Sequence, residues 1–276
     1  MAESKTQRLQ KKAYHIRESM FQMLVPTVTH HIGCSLDIVE ILTVLYFHVM
    51  TVFPKNPESE KRDIFLLSKG HAGLALYATL AERGFFSKKA LDSYDKDGGL
   101  LPEHASRVVP GIELSTGSLG HALPVGLGFA LDFKRLKKKN RVFVVMSDGE
   151  LDEGSNWEAF LFANQHKLDN VCIIIDYNKF QGFGKTKDVI NLDPLPEKFK
   201  AFGWDSYEVD GHNMTEMIRI FNKVKDKKNK KPSAIIAHTI KGKGAYFFEG
   251  KFESHYHSLS PEQIKELQDE HTKKHL

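Results

Sequence analysis

Cysteine is scarce in this chain: Cys34 and Cys172 are the only two in 276 residues. They lie far apart, and Cys172 sits inside an apolar run, so neither a disulfide framework nor a cysteine-based zinc site follows. Long hydrophobic runs are scarce too; none approaches the roughly 18 residues of a membrane-spanning helix. The N-terminal stretch MAESKTQRLQKKAYHIRESM has no apolar block of signal-peptide type. A cytoplasmic protein without a membrane partner is expected. No repeat, low-complexity tract or linker divides the chain. Charge of neither sign dominates, with 39 Lys and Arg against 35 Asp and Glu, a net +4. The basic clusters KRLKKKN (134–140) and KVKDKKNKK (223–231) have no interleaved aromatics, and each precedes a strand-like run. They read as solvated helix ends and loops, so no nucleic-acid partner is expected.

What is present is an ordinary globular balance, 41% hydrophobic and 27% charged, ample for a large core. Periodicity predicts helices over 5–24 (stopping near Pro26), 36–50, 70–84, 120–138, 155–167 and 213–226, and a polar helix from 261. Short apolar strands are predicted at 63–68, 142–147, 171–176, 206–209 and 233–238, with 92–116 irregular and glycine-rich. Strands alternating with helices imply an α/β fold, a mostly parallel sheet with helices on both faces. The expected organisation is one domain over 1–276, with a helical N-terminal portion (1–60) and a C-terminal tail (250–276).

The densest chemistry is VFVVMSDGELDEG, where a buried strand ends in four carboxylates: Asp148, Glu150, Asp152 and Glu153. In parallel sheets ligands sit beyond the carboxyl ends of the strands. Asp148 lies at such an end, and Gly149 is expected to let the backbone turn sharply. The next apolar strand, VCIIIDY, closes at Asn178, thirty residues on, one strand–helix–strand unit. Adjacent strands would bring Asp148 and Asn178 into one crevice. A carboxylate and an amide oxygen suit Mg²⁺ or Ca²⁺, and a diphosphate would complete the coordination. Ser155 with Glu158 looks like a capping box for the following helix. Glu150 and Asp152 read as solvated loop. Asp-Gly at a strand end is by itself most often a turn.

The combination of Asp-Gly, about thirty residues and Asn resembles the thiamine-diphosphate signature, which usually begins Gly-Asp-Gly where this chain has Ser147. THHIGCSLDIVEILTVLYF (29–47), LLSKGHAGLALYATLAERG (66–84), LPEHASRVVPGIELSTGSLGHALPVGLGFA (101–130), FGWDSYEVDGHN (202–213) and HTIKGKGAYFFEG (238–250) follow in family order. Together they resemble the N-terminal half of transketolase, most closely the free-standing N-terminal subunit of split transketolases.

The resemblance implies a fold and a site. The fold is the diphosphate-binding (PP) domain of thiamine enzymes. Thiamine diphosphate is the implied cofactor, held through Mg²⁺ with Ca²⁺ or Mn²⁺ as substitutes. Asp148, Asn178 and the Phe180 carbonyl are the implied metal ligands, and Gly149 packs on the diphosphate. Gly117, Ser118 and Leu119 touch the aminopyrimidine. His31 and His104 face the sugar; here Glu-His-Ala stands where the family often has Gly-His-Pro. His71 and His255 lie on the cofactor side, with His257 a near neighbour of the second. Histidine suits proton transfer at sugar hydroxyls near neutral pH. Against this stands the plain reading of each histidine as a loop residue satisfied by backbone. His30 and His121 are read as supporting or structural. Glu153 matches an acid that couples subunits, or is simply an acid favoured in a first helical turn.

The implied activity is transfer of a two-carbon ketol unit from a ketose phosphate to an aldose, in an α₂β₂ assembly with a C-terminal subunit that supplies the pyrimidine-binding domain. Segments 36–50 and 112–124 are the expected contacts. The alternatives are a subunit of a deoxyxylulose-phosphate-synthase-like or pyruvate-dehydrogenase-like enzyme, and a cofactor-free scaffold of the same fold, toward which Ser147 leans.

Overall fold

The computed structural model describes residues 3–24 and 29–273, with the side chains of Thr29, His30 and His257 outside that description. Helix α1 (Lys5–Met23) opens on a capping box, in which the Ser4 hydroxyl accepts from Gln7 N and the Gln7 side chain accepts from Ser4 N. The expected stop near Pro26 lies outside the described residues. After β1 (Thr29–His30), the single helix expected over 36–50 is instead three pieces: α2 (Ile32–Leu36), α3 (Val39–Val44) and a wider π-type turn, Leu45–Val49. The first break falls at Asp37. Its carboxylate turns inward, accepting from Gly242 N at 2.6 Å and Asn178 Nδ2 at 2.8 Å. Contrary to the sequence expectation, Ile32–Val49 is long and apolar enough to cross a membrane; most of it, however, is buried inside the fold, as core segments are.

The chain continues through β2 (Ile64–Leu67), α4 (Gly73–Arg83), α5 (Ala122–Arg135), β3 (Val142–Ser147), α6 (Gly154–Gln165) and β4 (Val171–Tyr177). A small hairpin follows, β5 (Phe180–Gln181) and β6 (Gly184–Lys185), then α7 (Thr186–Val189), α8 (Leu195–Ala201), β7 (Asp205–Asp210), α9 (Met214–Asp226), β8 (Ser233–His238), β9 (His257–Ser258) and α10 (Pro261–Lys273). Helix α4 stops where Gly84 takes a left-handed conformation, φ 92°, as its glycine predicted. The hairpin, α7, α8, β1 and β9 were not expected; two-residue strands carry no readable periodicity.

Five strands form one parallel sheet in the order β2-β3-β4-β8-β7. Its middle is apolar on both faces, as a sheet covered by helices must be. Phe143 and Val145 of β3 enter the core shared with α1, α3, α4 and α9. Val142, Val144 and Met146 enter the core shared with α5, α6 and α8. The carboxyl ends of β2, β3, β4 and β8 therefore meet along one rim, carrying Lys69, Asp148, Asn178 and Lys241. The antiparallel pair β1–β9, with His30 opposite His257, draws the start of α2 and the turn Phe252–His255 to the same rim.

Candidate active site

Strands β3 and β4 are neighbours with Ser147 opposite Asp176, so Asp148 and Asn178 come together as their spacing predicted. Asp148 is fully buried. It accepts from Gly149 N at 2.8 Å, Lys179 N at 2.7 Å and Thr186 Oγ1 at 3.2 Å. Burial, with the Asp176 charge adding to it, pushes its pKa up to about 7. Asn178 Oδ1 accepts from Phe180 N at 2.9 Å, while its Nδ2 donates to Asp37 and to Asp176 at 3.2 Å. Among the described residues no three His, Cys, Asp or Glu side chains gather as a ligand set. A cation here would draw on one carboxylate, the Asn178 amide and the Phe180 carbonyl, with ligand oxygens filling the rest. A buried, undercompensated carboxylate beside an amide oxygen fits a hard divalent ion.

The other residues of the acidic knot correct the sequence reading. Glu150 is not solvated but fully buried, accepting from Ser68 Oγ and from Gly120 N at 2.8 Å. Asp152 is half-buried and accepts from Gln181 Nε2 at 3.0 Å. Both acids thus tie loops to the strand tip. The capping box does not form: α6 begins at Gly154, Glu153 occupies the N-cap without a side-chain bond, and Ser155 Oγ donates to Gly120 O at 2.8 Å. Gly149 makes no left-handed turn. It is needed because a Cβ there would lie 2.6 Å from Gln181 Cβ, and the hairpin could not close over Asp148. Ser147 Oγ accepts from Glu150 N at 3.2 Å, so the serine caps the turn.

Four histidines from separate segments meet beside this rim. The His31 ring centre lies 5.0 Å from His71, 6.0 Å from His104 and 5.7 Å from His255. His31 Nδ1 is 2.9 Å from Glu103 Oε1. Burial lowers the His31 pKa, with Cys34 and Glu103 pulling the other way. Burial takes His71 down to about 4, so both rings are neutral acceptors or donors near pH 7. The His104 side chain is 42% exposed, against 15% for His31, and it packs against Gly117, where a Cβ would lie 3.1 Å from its ring. Tyr256 stands 5.2 Å from His31 and 4.4 Å from His255, ring centre to ring centre. The His30 and His257 side chains lie outside the described residues.

The 112–124 loop borders this wall. Ser118 is exposed and Leu119 half-buried. Thr116 Oγ1, packed where a side chain at Gly70 would go, is buried without a partner, an orphan that a bound polar group would satisfy. Gly120, left-handed at φ 82°, leaves room for Ser155 and for Glu153, which is exposed. His121 is exposed, its Nδ1 3.1 Å from Leu119 O. The loop continues into an apolar groove of about 630 Å³ lined by Pro124, Val125, Leu127, Ala159 and Phe162. Segment 36–50, by contrast, is largely core, with Ile38, Val39, Ile41, Leu42, Val44 and Leu45 fully buried. Within it Phe47, His48 and Val49 are half-buried, so little of the segment is available as the partner contact expected of it.

Beneath the histidines lies a charged floor that sequence reasoning missed. Lys69 donates to Asp176, which also accepts from Thr239 Oγ1. Lys241 Nζ donates to Cys34 Sγ at 3.1 Å. Lys69, Asp176, Asp37 and Lys241 are all essentially unexposed. Burial works against the Lys69 charge, but Asp176, Cys34 and Asp37 hold its pKa above the ordinary value. Burial and Asp176 raise Asp37 well above the carboxylate range. The one signal available was position: Asp37 and Asp176 interrupt or end apolar runs, where a charge needs a partner.

A parallel sheet with a buried Asp–Asn pair at adjacent strand ends, facing histidines, is the architecture of a thiamine-diphosphate-binding α/β domain. The family described as transketolase, thiamine diphosphate binding domain, matches residues 10–274, and the chain belongs to it. It is 42% identical over 250 residues to an apulose-4-phosphate transketolase subunit of Phocaeicola vulgatus, covering 91% of this chain and 89% of that one. It is also 42% identical over 258 residues to the 6-deoxy-6-sulfo-D-fructose transketolase subunit SqwG of Clostridium sp., covering 93% and 94%. Among solved structures, transketolase from Campylobacter jejuni superposes with a TM-score of 0.90 at 31% identity, covering 96% of this chain but 43% of that one. The chain is a subunit of transketolase type, an enzyme of the transferase class, and matches relatives named as transketolase subunits over about nine-tenths of both chains.

Proposed function

We propose that this chain is the diphosphate-binding subunit of a two-subunit transketolase that moves a two-carbon ketol unit between phosphorylated or otherwise modified sugars. The observation that carries it is the Asp148–Asn178 pair at the tips of β3 and β4, directly beside the wall of His31, His71, His104 and His255. Asp148, Asn178 and the Phe180 carbonyl would hold Mg²⁺, with Ca²⁺ or Mn²⁺ as substitutes, and through it the diphosphate. Gly117, Ser118, Leu119 and His71 would line the rest of the cofactor, with Glu153 beside the loop. Bound thiamine diphosphate would supply the electron sink for the transferred carbons. The histidines then take up and return protons at sugar hydroxyls, and His31, kept neutral by burial and aligned by Glu103, is suited to accept one near pH 7. His104, on the open side, is suited to meet the sugar.

The names of these relatives, each a transketolase subunit, support a partner, read here as a C-terminal subunit carrying the pyrimidine-binding domain. An α₂β₂ assembly with sites between subunits follows from that division, the 112–124 loop and its apolar groove being the available contact. The test is isothermal titration of thiamine diphosphate with Mg²⁺ into the chain alone and into the chain mixed with such a partner, followed by ketose-phosphate assays of the mixture. Binding should appear or tighten with the partner, and Asp148→Ala should abolish the metal-dependent part. Unchanged affinity in Asp148→Ala, or no binding in either state, overturns the assignment.

A further inference from the structure

The least expected member of the site is a thiol. Cys34 lies on α2, three residues past His31, and is 2% exposed. Its sulfur is the meeting point of three separate segments. Lys241 Nζ, beyond β8, donates to it at 3.1 Å. His255 Nδ1, on the Phe252–His255 turn, lies 3.7 Å away. His71, on the turn after β2, acts on it electrostatically as well. His31 flanks the group from the start of α2, and Asp37 and Lys69 act on it from farther off. Cys172 is the contrast, a core thiol on β4 that burial pushes up to about 12.

We propose that Cys34 is a positioning residue whose sulfur, fixed by Lys241, sets the ring orientation and tautomer of His255. Burial alone would keep the thiol protonated; Lys241 first, then the contact with His255 and the nearby His71, overcome it and hold its pKa well below the ordinary value. A thiolate is a stronger acceptor than a thiol. Accepting the Nδ1 proton of His255, it leaves Nε2 of that ring free to accept another. Alignment of a candidate proton carrier thus depends on one sulfur that touches no substrate. That His255 acts on substrate rests on the function proposed above; the anchoring itself does not.

The test therefore begins with the chain alone. In a Cys172→Ser background, a thiolate ultraviolet band should be present at neutral pH, vanish in Cys34→Ala, and appear only at higher pH in Lys241→Gln. Ring ¹⁵N spectra should show His255 as the Nδ1–H tautomer; Cys34→Ala should shift the His255 resonances, and Cys34→Ser should return them part of the way. With the partner subunit present, Cys34→Ala should lower kcat on the order of tenfold, the scale of supporting partners of functional histidines, with KM little changed, and Cys34→Ser should recover most of it. Absence of the thiolate band at neutral pH, or unmoved histidine resonances in Cys34→Ala, overturns the proposal. Absence of ketol transfer by the unmodified pair would instead overturn the function, leaving the spectroscopic result standing.

Discussion

The charged floor makes the sharpest stability prediction. Lys69 and Asp176 are both wholly buried, and among the described residues Lys69 donates to no other acceptor. Asp176 is better provided, since Thr239 Oγ1 and Asn178 Nδ2 also donate to it. Removing one member of a buried pair costs about 3–5 kcal/mol, because the other is left uncompensated. Lys69→Met leaves Asp176 two neutral donors and should fall at the low end, about 3 kcal/mol. Asp176→Leu strands the ammonium and should fall at the high end, about 5 kcal/mol. Either is a large part of a stability of about 5–15 kcal/mol. The double variant Lys69→Met/Asp176→Leu removes both charges and should cost far less than the sum. Urea unfolding, followed by fluorescence of Trp157 and Trp204 and by circular dichroism, gives the numbers. With a slope of about 3 kcal/mol/M, Lys69→Met should lower the midpoint by about 1 M. A single variant costing under about 1 kcal/mol, or a double variant costing the full sum, would refute the reasoning.

Two further predictions follow from individual contacts. Ser147→Gly removes the hydroxyl that accepts from Glu150 N at 3.2 Å; it should cost only a few tenths of a kcal/mol in urea unfolding while leaving Mg²⁺-dependent cofactor binding by the assembled subunits intact, and loss of binding would mean that the serine contributes to the site. Glu40 is held down from 4.5 to about 2: burial opposes its charge, but Arg17, its largest favourable neighbour, and His212 outweigh it. That depression contributes about 3 kcal/mol, fully present above pH 4.5 and lost as the pH falls through 2, so Glu40→Gln should flatten acid unfolding over that window, and an unaltered profile would contradict it.

What the sequence revealed and what it concealed separate along a physical line. The sheet was legible because buried strands are apolar on both faces and short enough to be bounded by glycine and polar turns, and the Asp148–Asn178 meeting followed from one strand–helix–strand unit. The helix expected over 36–50 was not one helix, because apolar periodicity says which residues are buried but not that Asp37 will leave the helix to bind Gly242 and Asn178. The acids after β3 misled for the same reason. Composition treats a carboxylate in a loop as solvated, and only the fold brings Ser68 and Gly120 to Glu150. Cys34 is the extreme case. In sequence it is a small residue on an apolar helix; its character comes from Lys241 and His255, both more than two hundred positions away. Pairwise chemistry across such separations leaves no local trace, so the residues that hold the histidines in place had to be found in three dimensions, while the histidines themselves stood in their motifs.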